Sequence, residues 1–416
     1  MLAFIPYMEV FGFLLLGGAI DVFGKNERKK HMLFVFSIIL LIGFLGLRGF
    51  IGWDWWAYYP SYNNLPGGFN YEIGYEIWSN IFYKIGLSYH HFTFINTVAD
   101  ILILAYVLKK YSKYPIFSMF LFLAVQGLSF EVDLLRNAKA VLLFIISIQF
   151  IKERKIIPFL ILNILGMTFH ISSIIYFPMY FILNRNYSRK IILPLIILGN
   201  IYYIFDTKLF IHILEYMSSV LPAAVGGKIT SYLSIIPQNY KLPIGILYFE
   251  RFVTFIMVFV FLHKEKGSRE KENQYSLIME NSFYIFYLIF LFTSEFFIAS
   301  TRIGILFIYA NWFLWGDIIE NLRNIKIKAA VFLIAVLIGG NRIYNHFDFN
   351  GNKILYRYEN IITDHKSYEE KMKDLGRARK FKDACSSPTH SYTIRLNFFS
   401  SSRFVIAMIV GLPCGQ

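Results

Sequence analysis

The sequence predicts an all-α, polytopic integral membrane protein, and three observations predict it. Hydrophobic residues make up 56% of the 416-residue chain and charged residues only 16%, against about 25% charged in soluble domains. Apolar runs of roughly 15–20 residues recur, the length at which a helix crosses the hydrocarbon of a bilayer. The runs are continuous rather than alternating, which argues against a transmembrane β-barrel. A net charge of +14 fits basic cytoplasmic loops rather than a nucleic-acid partner. Both cysteines, Cys385 and Cys414, fall in the last stretch, so the apolar region offers neither a disulfide nor a thiolate metal site.

Charge parity orders the elements. Basic clusters lie at 25–30, 109–113, 152–155, 185–190, 264–271 and 323–328. If all face the cytoplasm, an even number of crossings separates successive clusters. Residues 2–20 then enter from outside; lacking a basic flank and a small-residue cleavage site, they read as a retained span rather than a signal peptide. Residues 32–47 cross outward and 92–108 return, 115–130 cross outward and 134–151 return. Between them, 71–87 carries Ile73, Ile77, Ile81 and Ile85 with Trp78 and Phe82 on one stripe, and Glu72, Glu76, Asn80 and Lys84 on the other. That pattern is an amphipathic helix, and parity places it along the outer interface. Residues 156–183 would make one helix of roughly 42 Å, long for one span and short for two. They read as a tight hairpin or re-entrant pair broken near Gly166 and His170. Then 191–205 cross outward, 244–262 return, 282–299 cross outward, 303–319 return and 329–341 leave. The total is about twelve crossings with both termini outside. The outer loop 206–243 is a candidate lid or substrate-facing loop.

This map leaves Arg48, Arg136, Lys139, Arg251, Arg302 and Arg342 at or near the outer ends of spans, with His170 at the apex of its hairpin. Positive charge is disfavoured there, so these residues form the strongest functional signal in the chain. Arg48 and Asp54 also share a short stretch with Phe50, Trp53, Trp55, Trp56, Tyr58 and Tyr59. Aromatics with polar tips suit the headgroup layer and stack on sugar rings, which suggests a protein that handles a polar, glycan-bearing lipid from one side of the membrane. Plainer roles exist for each: Arg48 capping its helix, Asp54 pairing with Arg48, His170 closing a helix break, the tryptophans forming an interface belt.

Arg48, Gly52, Asp54 and Tyr59 resemble the first motif of the EpsG-like branch of the Wzy polysaccharide polymerases, an Arg, a Gly-x-Asp and a Tyr after the second span. The run Arg136, Asn137, Ala138, Lys139, Ala140, the basic turn at 152–155 and Phe169-His-Ile-Ser172 resemble that family's Arg-Gln-x-x-Ala, basic turn and Phe-His-x-Ser. Arg302 with Tyr309 is similar to its later lone Arg with a nearby Tyr. The resemblance covers about residues 1–368. The chain departs from it with Asn137 for Gln, with Lys139 inside the motif and with Ser173-Ile174 where Ala-Leu is more frequent.

What the resemblance implies is a glycosyltransferase in the bacterial cytoplasmic membrane. It would join oligosaccharide repeat units carried on undecaprenyl diphosphate into an O-antigen, capsule or exopolysaccharide, on the outer face. The lipid-linked oligosaccharide is both donor and acceptor, the bilayer is the second partner, and a chain-length regulator is a conceivable third. The expected reaction is displacement of undecaprenyl diphosphate by a sugar hydroxyl, with inversion. Charge growing on phosphate oxygens suits a guanidinium clamp, for which Arg136 and Arg302 are the first choice and Arg48 a support. Lys139, Arg251, Arg342, Tyr59 and Tyr309 are the remaining candidate substrate contacts. A base must activate the acceptor; Asp54 or His170 is expected, with Glu131 and Asp133 also on the outer face. No Asp-x-Asp pair or metal-spaced His/Asp cluster is present, so neither a metal nor another cofactor is expected. Residues 1–345 read as the transmembrane polymerase domain, 346–376 as an extracytoplasmic C-terminal segment and 377–416 as a tail of uncertain nature, since the composition changes after about Lys373. The rival readings are a lipid-linked oligosaccharide flippase, which should show two-fold internal similarity, and a membrane O-acyltransferase acting on glycans.

Overall fold

A computed structural model describes residues 4–386 except 206, 235–241, 243, 264–273 and 364. The basic cluster 264–271, the end of the 206–243 loop and the tail beyond 386 lie outside the described residues. The helices are α1 (Ile5–Phe23), α2 (Glu27–Gly46), α3 (Trp55–Tyr62), α4 (Ile73–Lys84), α5 (Tyr89–Tyr111), α6 (Pro115–Phe122), α7 (Leu128–Val132), α8 (Leu135–Lys152), α9 (Ile156–Phe169) and α10 (Met179–Ile182). They continue with α11 (Arg189–Phe205), α12 (Leu209–Val220), α13 (Ala223–Ser234), α14 (Ile246–Phe261), α15 (Gln274–Phe292) and α16 (Phe297–Gly304). The last are α17 (Ala310–Asn321), α18 (Ile325–Asp348), α19 (Asn350–Leu355) and α20 (Tyr368–Ser386). Among the described residues no strand forms; one isolated bridge joins Arg48 to Asn360. The all-α, multi-pass class stands.

By length and composition six helices among the described residues are long and apolar enough to span a membrane on their own, or eight if two bent pairs each count as one; the other expected crossings fall on helices outside that standard. Arg136, Lys139 and Lys152 sit inside α8. At 16 residues, α14 is about 24 Å long, short of the roughly 30 Å hydrocarbon core. The 206–243 segment is not a loop throughout: α12 and α13 occupy much of it, because Leu209, Ile213, Tyr216, Met217 and Val220 repeat at helical spacing and form an exposed apolar stripe.

The 156–183 hairpin is present. Helix α9 stops at Phe169, where His170 is extended (φ −154°, ψ 116°), and a 3₁₀ turn spans Ile171–Tyr176. Tyr180 then returns to within 5.1 Å of Phe159, and Tyr176 stacks 3.7 Å from Phe144. In one straight helix residues 159 and 180 would be about 30 Å apart.

The described residues divide into two compact units, one made of residues up to 182 and from 311 onward, the other of 183–310. In the first, α1 lies against α6 through Gly17 and Gly18, where a Cβ on Gly18 would fall 3.1 Å from the Phe117 backbone. Small residues let membrane helices approach this closely. Asp21, buried in α1, is explained by the same contact: its carboxylate accepts from Ile116 N at 2.8 Å and Phe117 N at 3.4 Å, capping α6. Between α6 and α7 the backbone breaks at Val125 and Gln126 (φ 77°). Trp312 Nε1 donates to the freed Val125 carbonyl at 3.0 Å, as a break at membrane depth requires. In the second unit α11 crosses α15 at Gly199, and Asn200 accepts from Tyr248 Oη at 2.6 Å and Tyr287 Oη at 3.2 Å.

Helix α4 is amphipathic, with Ile73, Ile77, Ile81 and Ile85 all exposed. Its acidic side is not a simple solvated face. Glu76 accepts from Tyr71 N at 2.9 Å, and Glu72 is half-buried against Arg136.

Candidate active site

The loop joining α2 to α3 is held from two directions. The 355–361 segment reaches it by backbone bonds: Gly49 N to Glu359 O at 2.8 Å, Gly52 N to Leu355 O at 3.0 Å and Ile361 N to Leu47 O at 2.9 Å. From α7, Asp133 accepts from Trp53 N at 2.5 Å, from Asp54 N at 3.4 Å and from the Tyr356 hydroxyl. Trp53 Nε1 donates to Asn352 Oδ1 at 2.7 Å. Gly52 is left-handed (φ 89°), and a Cβ there would fall 2.2 Å from Asp133 Oδ1. Only glycine permits both the turn and the carboxylate's approach. This places Asp54 at the N-terminus of α3, where its carbonyl accepts from Ala57 N at 3.0 Å and Tyr58 N at 3.2 Å. Tyr59, one turn on, stacks on Tyr368 at 4.5 Å.

Burial lifts the Asp133 carboxyl from its ordinary range to about 6, against the pull of its hydrogen bonds from Tyr356, Trp53 and Asp54. The folded chain therefore holds this proton more tightly than the unfolded one. That stabilisation is full below the ordinary carboxylate pKa and is lost as the pH rises through about 6. In purified protein, the melting-temperature difference between wild type and Asp133→Asn should shift in favour of wild type between pH 7.5 and pH 5. A difference constant across that range would show that Asp133 does not titrate there.

Arg136, on the first turn of α8, lies over the Tyr71 ring at 4.4 Å, donates through Nε to Tyr58 Oη at 3.4 Å and pairs with Glu72. Burial pushes the Tyr58 hydroxyl up to about 12, so it stays protonated. The second oxygen of Glu72 accepts from Ile171 N at 3.3 Å. Burial is the largest single influence on Glu72 and opposes its ionisation, but the Arg136 guanidinium, the backbone amides and His170 together outweigh it and hold the carboxyl below its usual range. His170 is fixed at its break by Ser172, whose Oγ is 2.6 Å and N 3.3 Å from His170 Nδ1. The spacing of histidine and serine in the motif thus closes a local cap, and Glu72 ties that cap to Arg136.

A second, inner layer lies beneath. Lys139, three residues after Arg136, is 7% exposed and pairs with Asp100 at 2.6 Å while donating to Asn96 O at 3.1 Å. Arg48, 5% exposed, gives Nη1 to Thr97 Oγ1 at 2.9 Å and to Leu45 O, and Nη2 to Glu131 O. Glu131 is buried beside them. Arg342 is half-buried on α18.

Other candidates belong to the second unit. Arg251 is buried between the rings of Phe286 (4.6 Å) and Phe290 (3.8 Å). Arg302 is exposed on α16, and the buried Tyr309 donates to Ser282 Oγ at 2.6 Å. So Asp54, Tyr59, Arg136 and His170 gather at one end of the first unit, and Arg48 and Lys139 form its buried support. Among the described residues no group of three or more His, Cys, Asp or Glu could hold a metal ion.

Several residues of this arrangement escaped the sequence reading. Glu72 was hidden in what looked like a solvated helix face. Asp100 was not singled out, although a lone aspartate within a span is itself a signal for a buried partner. The 352–371 segment gave no sign that it forms a wall, yet Leu355, Glu359 and Tyr368 all touch the loop of the first motif, and Lys371 Nζ holds Glu359 at 2.7 Å. Helix α20 runs past Lys373, and Arg379 lies 4.7 Å over the Trp56 ring.

Six to eight helices of membrane-spanning length among the described residues define a multi-pass membrane protein, and charged and aromatic side chains from α3, α4, α8 and the break after α9 meet in its first unit. The sequence matches the EpsG family over residues 31–374, and the chain belongs to that family of membrane polysaccharide-biosynthesis proteins. Neither a curated protein nor a solved structure matches it.

Proposed function

We propose that the protein is a membrane glycosyltransferase that polymerises undecaprenyl-diphosphate-linked repeat units into a surface polysaccharide on the outer face of the bacterial cytoplasmic membrane. The observation that carries this reading is the meeting of Arg136 and the His170 break on a single carboxylate, Glu72, beside the first motif of an EpsG-family chain. A guanidinium held over a tyrosine face is a preorganised donor for the charge that develops on a leaving diphosphate. Arg136 is the proposed diphosphate contact. Asp54 or His170 takes the proton of the acceptor hydroxyl; as that oxygen attacks the anomeric carbon, the bond to the diphosphate oxygen breaks and the lipid diphosphate leaves. Tyr59, Trp56 and Tyr71 supply aromatic surface for sugars. Arg48 and Lys139 act from below by holding α2, α5 and α8 together.

The test is direct. Full-length protein in lipid nanodiscs, given a defined undecaprenyl-diphosphate-linked repeat unit, should produce a ladder spaced by one repeat and release one lipid diphosphate per bond formed. Turnover of the lipid-linked unit without a ladder, or transport of intact units across vesicles, would replace this reading with a hydrolase or a flippase.

A further inference from the structure

We propose that the Glu72 carboxylate sits in an anion seat, formed by the Arg136 guanidinium and the Ile171 backbone amide, that receives an oxyanion of the substrate during turnover. This rests on the reading of Arg136 above and deepens it. Glu72 stands at the N-cap of α4 yet makes no capping bond to its own helix. Its two oxygens reach two other elements instead, one to Arg136 on α8 and the other to Ile171 N at 3.3 Å, just after the break that ends α9. One guanidinium and one amide sharing a two-oxygen anion is the donor set that phosphate and carboxylate ligands use.

Both donors are braced independently of Glu72. Arg136 rests on Tyr71 at 4.4 Å and on Tyr58 Oη at 3.4 Å. The Ile171 amide follows the extended His170, which Ser172 pins at 2.6 Å. The seat therefore persists when Glu72 leaves it. The helix behind Glu72 is also fixed: Gly74 presses on α9 so closely that a Cβ there would fall 2.2 Å from Thr168 Oγ1. A side-chain rotation of Glu72, without movement of α4, is enough to open the seat. The paired side chains of Arg136 and Glu72 are 23% and 21% exposed, so a ligand can reach them. The oxyanion is either a phosphate of the lipid diphosphate or a carboxylate of an acidic sugar, and both match the seat's two donors.

Full-length protein in nanodiscs can be titrated with two probes, farnesyl diphosphate and a glucuronate disaccharide, in wild type, Glu72→Gln and Arg136→Gln. Removing the resident charge should tighten farnesyl diphosphate binding about fivefold in Glu72→Gln, the factor set by an ion pair of about this exposure. Arg136→Gln should abolish it. If Glu72→Gln does not accumulate, Glu72→Asp serves instead, because its shorter stem cannot span both donors and should also bind the probe more tightly. Unchanged or weaker binding of both probes in the Glu72 variant overturns the seat while leaving Arg136 as a contact. Tightening for glucuronate alone keeps the seat but removes the diphosphate assignment of Arg136. Wild-type binding of both probes in Arg136→Gln overturns both.

Discussion

Replacing Arg136 by alanine should lower polymerisation by about 10²–10³, the range seen when one donor to developing negative charge is removed from a preorganised site. The protein should still accumulate and melt close to wild type. The Arg136–Glu72 pair is about one-fifth exposed on each side, and pairs near the surface contribute only about 0–1 kcal/mol. Arg136→Lys separates charge from geometry. Lysine keeps the cation but loses the planar fork, and with it the stacking on Tyr71 and the simultaneous reach to Tyr58 and Glu72. It should therefore lose most of the activity as well. The readout is ladder formation from a defined lipid-linked repeat, with melting temperature as the control for folding. Normal polymer from the alanine variant would move the clamp elsewhere, to Arg302 or Arg251 first.

How much of this was legible beforehand differs from element to element. The membrane class follows from apolar run lengths, which act locally. The hairpin at 156–183 was readable because a run too long for one span and too short for two must break, and a histidine marks where. Gly52 could be picked out from the motif, but its reason could not. That reason is Asp133, 81 positions away in the chain and pressed against the place where a side chain would begin. The same holds for Glu72 and Asp100. Their partners, Arg136 and Lys139, come from a different helix, and no periodicity links a carboxylate on one helix to a cation on another. Charge parity counts each apolar run as a span, whereas length and composition alone single out six to eight among the described residues. Helices such as α8 and α14 are too charged or too short to meet that standard on their own. The 352–371 segment was invisible as a wall because its backbone bonds and side-chain contacts reach a loop some 300 residues earlier, and pairings at that separation carry no local sequence signature.

The inner layer gives the largest expected change in stability, and it decides between two roles for Lys139. By its position in the sequence Lys139 belongs with the outer-face cations that contact substrate. In the fold its ammonium lies 2.6 Å from Asp100, with side-chain exposures of 9% and 0%. Removing one partner of a buried pair leaves the other charged and uncompensated, which costs about 3–5 kcal/mol, whereas replacing both partners together is often close to neutral. Lys139→Met should therefore lower the melting temperature in detergent steeply and reduce accumulation, and Asp100→Asn added to it should restore most of the loss. Activity per folded molecule in the double variant should stay within a few-fold of wild type, because the pair supports the Arg136 layer without touching substrate. The opposite pattern would assign Lys139 to the substrate instead: a single variant that melts like wild type but forms no polymer, with no rescue by Asp100→Asn. Arg48 would then need the same test, since it shares this layer through Thr97 and the Glu131 carbonyl.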